Sequence, residues 1–167
     1  MSAKPISYAT SVKTLLIFAS TLAVGISYWL SPASSALQRA LEHFLAWATG
    51  GALYWITPSV SMLGTVISVS GFTANIVPAC TGLFTITIFV AAVLAYPCTL
   101  QRRALGVVLG IVGILTLNWV RIISLMLIGA YWNTAFEFAH LVVWQSLAVF
   151  FAAFLWLLWV QRIAHAR

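Results

Sequence analysis

Residues 104–132 read ALGVVLGIVGILTLNWVRIISLMLIGAYW. The run is apolar throughout apart from Asn118 and Arg121, and it exceeds the roughly 20 residues needed to cross a hydrocarbon core about 30 Å thick. It therefore reads as a membrane-spanning helix that tilts, bends or continues beyond the bilayer. The rest of the chain has the same character. Of its 167 residues 63% are hydrophobic, offset by only eight Lys or Arg and two acidic residues. Such a chain cannot present the charged surface of a soluble globule, so a soluble enzyme is excluded.

Three further apolar runs flank this one, at 14–30, 81–96 and 139–160. The basic residues sit beside the runs in short clusters: Lys4 and Lys13 before the first, Arg102 and Arg103 between the second and third, Arg162 and Arg167 after the last. This positive-inside pattern explains the net charge of +6 by membrane orientation rather than by nucleic acid. The predicted topology has four spans, with both termini in the cytoplasm of a cell whose bounding membrane holds the protein. The first span ends in Ser31-Pro32-Ala33, similar to a signal-peptidase site, yet 14–30 is longer than a usual signal core and reads as a retained anchor.

Residues 31–79 then lie on the extracytoplasmic side. Within them, 36–57 carries Arg39, Glu42 and His43 among apolar residues at helical spacing, and reads as a helix in the outer interface or as a short re-entrant pair. Residues 65–77, rich in Thr, Val, Ile and Phe around Ser70-Gly71, predict a short β-hairpin. The expected fold is an all-α polytopic membrane protein of about four transmembrane helices, with an outer interfacial helix and a short extracytoplasmic β-hairpin. It forms a single integral membrane domain over 1–167, with the lipid bilayer as its surroundings.

Few chemistries are compatible with this inventory. The two acidic residues are Glu42 and Glu137, so a paired-Asp intramembrane protease is excluded, and no HExxH or GxSxG motif is present. An ionisable residue inside a membrane is costly and marks a functional candidate, so depth becomes the useful coordinate. At about 1.5 Å per residue, Arg121 lies about 27 Å beyond Arg103, near the outer boundary. His140 lies about as far from Gln161 on the last span, and Cys80 immediately precedes the second span on its outer side. Three reactive side chains from three spans thus converge on one level.

Cys80 stands in Val77-Pro78-Ala79-Cys80-Thr81-Gly82, where a helix begins and its backbone N–H groups attract negative charge. Cys98 lies beyond the whole second span, about 27 Å away if that span is helical, so the two cannot pair as a disulfide without refolding. A lone thiol in an oxidising compartment points to catalysis or partner binding, the alternative being a small packing residue. Cys98, in a cytoplasmic turn, reads as packing. Arg121 cannot shed its charge and must meet a carboxylate, backbone carbonyls, water or a developing oxyanion. An ion pair with Glu137, or snorkelling to the headgroups, is the alternative to a catalytic role. Asn118, one turn earlier on the same face, is suited to orient the Arg, donate to a substrate or satisfy backbone. His140 follows Glu137 at i+3, so the carboxylate can orient the imidazole, and a helix cap or interfacial residue is the alternative. His43, His165 and the tryptophans read as interfacial or packing residues. Gly106, Gly110 and Gly113 allow a second helix to approach closely.

A Pro-Ala-Cys-Thr-Gly segment opening a span, a basic turn, Leu-Asn-Trp-Val-Arg late in the next span and a His at the start of the last together resemble the exosortase and archaeosortase family. The resemblance covers roughly residues 60–160, and the chain looks like a short form without the additional N-terminal spans of larger members. It implies a membrane-embedded counterpart of sortases, a thiol protease or transpeptidase. Such an enzyme recognises secreted proteins bearing a C-terminal sorting signal of motif, transmembrane helix and basic tail, cleaves near the motif, and transfers the new carboxyl end to an acceptor whose identity is open. The family's Cys falls on Cys80, its Arg on Arg121 and its His on His140, with Thr81, Gly82 and Asn118 matching flanking positions and Glu137 supporting the His.

The implied mechanism is attack by the Cys80 thiolate, oxyanion stabilisation by Arg121 with Asn118 assisting, and proton transfer by His140. No metal, organic cofactor or nucleic acid is expected. A non-catalytic membrane subunit with a structural Arg121–Glu137 pair is the alternative from another class. A thiol–quinone oxidoreductase is disfavoured because its two cysteines would face opposite sides.

Overall fold

The computed structural model describes residues 8–164, with side chains from residue 11 onward. The basic residues Lys4 and Arg167, and His165, lie outside the described residues. Helix α1, Tyr8–Leu30, packs along α3, Leu83–Ala95. Gly25 admits the Thr87 side chain at their contact, and Trp29 Nε1 donates to Thr87 Oγ1 at 2.8 Å. The chain then turns sharply at Pro32–Ser34 into α2, Ser35–Ile56. The carbonyl of Trp29, freed by the end of α1, accepts from Ser34 Oγ at 3.2 Å and from Gln38 Nε2 at 2.8 Å, so the corner satisfies a backbone group a helix end would otherwise leave bare.

Helix α2 matches the expected 36–57 helix closely. Leu45, Ala46, Thr49, Gly50 and Leu53 form its buried face, while Phe44, Trp47, Tyr54 and Trp55 are exposed. After it come three short strands, β1 Val60–Leu63, β2 Val66–Val69 and β3 Phe72–Asn75, in one antiparallel sheet of order β1-β2-β3. The predicted hairpin is the β2–β3 half. Its register pairs Val69 with Phe72 across Ser70 and Gly71, whose φ values of 48° and 89° are the left-handed pair a tight hairpin turn requires. The first strand corrects the hairpin to a meander. Three of its four residues are exposed, so Val60-Ser-Met-Leu carries little alternation for a sequence reading to detect.

The 32-residue helix α4, Leu100–Tyr131, crosses the whole molecule. Beyond it, α5 (Asn133–Phe138), a π-helical turn (Ala139–Val143), α6 (Trp144–Trp159) and a second π-helical turn (Val160–Ala164) join into one apolar rod, Asn133–Ala164. Two cores lie along α4. At the sheet end, Leu45 and Leu53 of α2 and Ile67 and Val69 of β2 enclose Ile122 and Met126. At the opposite end Phe89 and Val93 of α3 meet Ile114 and Trp159.

Among the described residues three helices are long and apolar enough to cross a membrane: Ser11–Leu30, Leu100–Tyr131 and Asn133–Ala164. This multi-pass helical architecture agrees with the expected class, but the segment expected as a span at 81–96 is only the 13-residue α3, about 20 Å long and short of an upright crossing. Gly82, at φ 78°, stops the helix on one side and Pro97 follows it on the other. The third run starts at Leu100 rather than 104 because its arginines belong to the helix. Arg103 Nε donates to the Tyr96 carbonyl at 3.2 Å, and Arg102 Nη1 to the Ala164 carbonyl at 3.0 Å. The last run likewise begins at Asn133 instead of 139, so His140 lies inside the rod and not at its start. The α4 glycines face the protein's own side chains: a Cβ at Gly106 would strike Trp159, at Gly110 Phe89 and at Gly113 Leu155.

Candidate active site

The site is built on the turn between the sheet and α3. Pro78 opens a 3-10 turn over Pro78–Cys80, in which Cys80 N–H donates to the Val77 carbonyl at 2.8 Å and Thr81 N–H to the Pro78 carbonyl at 3.1 Å. Thr81 is fully buried and its hydroxyl also donates to the Pro78 carbonyl, at 2.7 Å, which locks the turn. The chain then takes a left-handed step at Gly82, and the first α3 bond runs from Ile86 N–H to the Gly82 carbonyl at 3.0 Å. Cys80 therefore sits in the turn preceding α3, not in its first residues.

Asn118, buried on α4, donates through Nδ2 to the Cys80 carbonyl at 2.6 Å. This bond joins the two motifs read from the sequence across 38 positions. It also explains Gly82, whose added Cβ would come within 3.3 Å of Asn118 Cγ in addition to needing positive φ. One turn on, Arg121 lines a cavity of about 70 Å³ with Asn118, Ile114 and Leu117 of α4, Ala79 and Gly82 beside Cys80, Phe84 and Thr85 of α3, and Trp144, Ala148 and Phe151 of α6. The space suffices for a few waters or one peptide group. Arg121 Nε is buried with no hydrogen-bond partner. None of the residues lining the cavity is acidic, so Arg121 meets no carboxylate there.

Other expected residues stand apart from this cavity. Cys80 is half-buried and packs against the sheet-end core, and it is not among the cavity walls. His140 occupies the π-helical turn and stacks on Phe136 at 5.6 Å between ring centroids, and Phe136 in turn meets Phe72 of β3 at 5.0 Å. One turn further along the rod, Trp144 is the residue that reaches the cavity. Glu137 is exposed, and among the described residues no ion pair joins it to Arg121. The two free cysteines lie at opposite ends of α3, and Cys98 packs against the other core. No group of three or more His, Cys, Asp or Glu suited to a metal forms among the described residues.

On α4 only Asn118 and Arg121 were legible, as neighbours one turn apart on one face. The walls from Phe84, Thr85, Trp144 and Phe151 were not, because apolar residues on other helices carry no local mark of facing a charge. A family model described as transmembrane exosortase matches residues 7–162 of the chain. Comparison with curated proteins and with solved structures gave no significant match.

Proposed function

The chain belongs to the transmembrane exosortase family, and from that premise we propose that it cleaves membrane-anchored proteins by thiol catalysis at Cys80. Membership brings with it the general activity of the family, protease or transpeptidase processing of proteins that carry sorting signals. The observation that supports the finer reading is that Arg121 lines a cavity whose walls include Ala79 and Gly82 from the Cys80 turn and contain no acidic residue.

The Cys80 thiolate attacks a peptide carbonyl carbon just beyond the substrate's transmembrane helix. The carbonyl oxygen gains the negative charge, and Arg121 stabilises it where no carboxylate lines the cavity. Asn118 acts mainly through the Cys80 carbonyl it already holds, fixing the turn that presents the thiol. The C–N bond then breaks, the leaving amine takes a proton from the imidazolium of His140, and the N-terminal part remains on Cys80 as a thioester. An amine acceptor, or water, attacks the thioester and gives its proton to His140, and the C–S bond breaks to release the Cys80 thiolate. Catalytic contacts in an unliganded enzyme are often long and close only around substrate, which reconciles this scheme with the separate positions of Cys80 and His140. The reaction belongs to the extracytoplasmic face of the cell membrane, with the substrate's basic tail in the cytoplasm.

The test is a trapping experiment. A tagged membrane protein ending in an apolar helix and a basic cluster is co-expressed, and hydroxylamine is added during processing. A thioester on Cys80 delivers its acyl group to hydroxylamine, so the product carries a C-terminal hydroxamate. Product formed only as the free acid, and equally by Cys80→Ser and Arg121→Ala, contradicts the reading. The competing role as a non-catalytic subunit pairs Arg121 with Glu137 and makes Cys80 a packing residue; no such ion pair forms among the described residues, while Cys80 does pack against the sheet-end core.

A further inference from the structure

The cavity at Arg121 opens sideways. Thr85 forms part of its wall and also part of a second, apolar cavity of about 350 Å³ between α3 and α6. That cavity shares Ala92 and Trp156 with a third, of about 610 Å³, which reaches Pro97 and the first turns of α1. The three follow one another along α3, from Arg121 at one end to the Pro97 turn at the other. The hollow of this groove comes from small side chains, Ala92 on α3 and Ala152 and Ala153 on α6, while Ile88 and Val149 stand more than half exposed along it.

We propose that this groove seats the apolar helix of the substrate, with the bond to be cut just past the helix end, at the Arg121 cavity. The assignment rests on the cleavage reading above and adds where the substrate binds. Three observations choose this occupant. The groove adjoins the cavity lined by Arg121, the two sharing Thr85 as a wall, so a helix seated in it would end beside Arg121. Polypeptide at hydrocarbon depth must be helical, because only a helix satisfies its own backbone groups there, and small residues let such a helix approach closely. At the other small-residue row, on α4, the glycines already meet Trp159, Phe89 and Leu155, and the cavity of about 260 Å³ beside Gly106 and Gly110 shares no wall with the Arg121 cavity. Along the 13 residues of α3 the groove offers about 20 Å, between three and four turns of a bound helix.

The experiment uses the full chain in membranes, carrying Cys80→Ala to hold the substrate, with a photo-crosslinking amino acid at position 153 or, as control, at position 112 on the outward side of α4. The probe is a tagged single-span protein of the source organism ending in an apolar helix and a basic cluster. The expected result is a crosslink to the probe's helix from 153 and none from 112. Equal crosslinking from both, or a crosslink from 153 only to lipid or only to a second copy of this chain, overturns the proposal. In the enzyme with Cys80 intact, Ala153→Trp is expected to lower processing about tenfold by overfilling the groove, with Val112→Trp without effect. Processing that persists undiminished in Ala153→Trp places the helix elsewhere and leaves Cys80 catalysis standing. A crosslink from 153 together with processing that survives Cys80→Ala does the reverse.

Discussion

At the scale of single residues, Gly82 and Asn118 carry the geometry that brings the site together. Gly82→Ala forces a side chain into the left-handed region and against Asn118. The backbone term alone is about 1–2 kcal/mol, so a lower unfolding temperature in detergent and a loss of processing are expected together. Asn118→Asp keeps the shape but replaces the donor to the Cys80 carbonyl with an acceptor; it is expected to impair processing at least as severely as Asn118→Ala, measured as the initial rate of product formation. Arg121→Lys tests charge against geometry. A lysine retains one positive charge without the planar fork, and a fall of about 10²-fold or more in processing rate is expected, in the range found when an oxyanion donor is removed. Cys80, Asn118 and Arg121 were legible because a thiol, an amide and a guanidinium are conspicuous in apolar surroundings. The partner of Asn118 was not, since its amide donates to a backbone carbonyl, a group every residue possesses.

At the scale of elements, the bundle depends on polar contacts placed sparingly between apolar helices. Trp29→Phe removes the donor to Thr87 that ties α1 to α3. Buried hydrogen bonds between membrane helices average about 0.6 kcal/mol, so the variant is expected to unfold slightly more easily in detergent while processing continues. The apolar runs and the helix at 36–57 were readable from composition and spacing. The shortness of α3 was written in Gly82 and Pro97, but apolar content on both sides concealed it. The π-helical turn at Ala139–Val143 has no sequence signature in a reading that assumes 3.6 residues per turn, and it decides that Trp144, not His140, faces the cavity. The strand Val60–Leu63 was hidden for a different reason. Most of it is exposed and it pairs with β2 through its backbone.

At the scale of the whole molecule, α4 carries both ends of the account: Arg102 and Arg103 close one end against Ala164 and Tyr96, and Asn118 and Arg121 organise the other. If the basic clusters set the orientation, a membrane-impermeant thiol reagent added to intact cells labels Cys80 and spares Cys98, and inverted vesicles give the opposite. Labelling of Cys98 from outside would reverse the topology and remove the extracytoplasmic site. The central claim is that cleavage depends on the Cys80 thiol. Its most direct test is the size of a tagged tail-bearing membrane protein in cells that make the wild-type chain or Cys80→Ala at equal levels in the membrane. The account predicts a shortened product with the wild type and none with the variant; the same shortened product at the same rate from Cys80→Ala would contradict it.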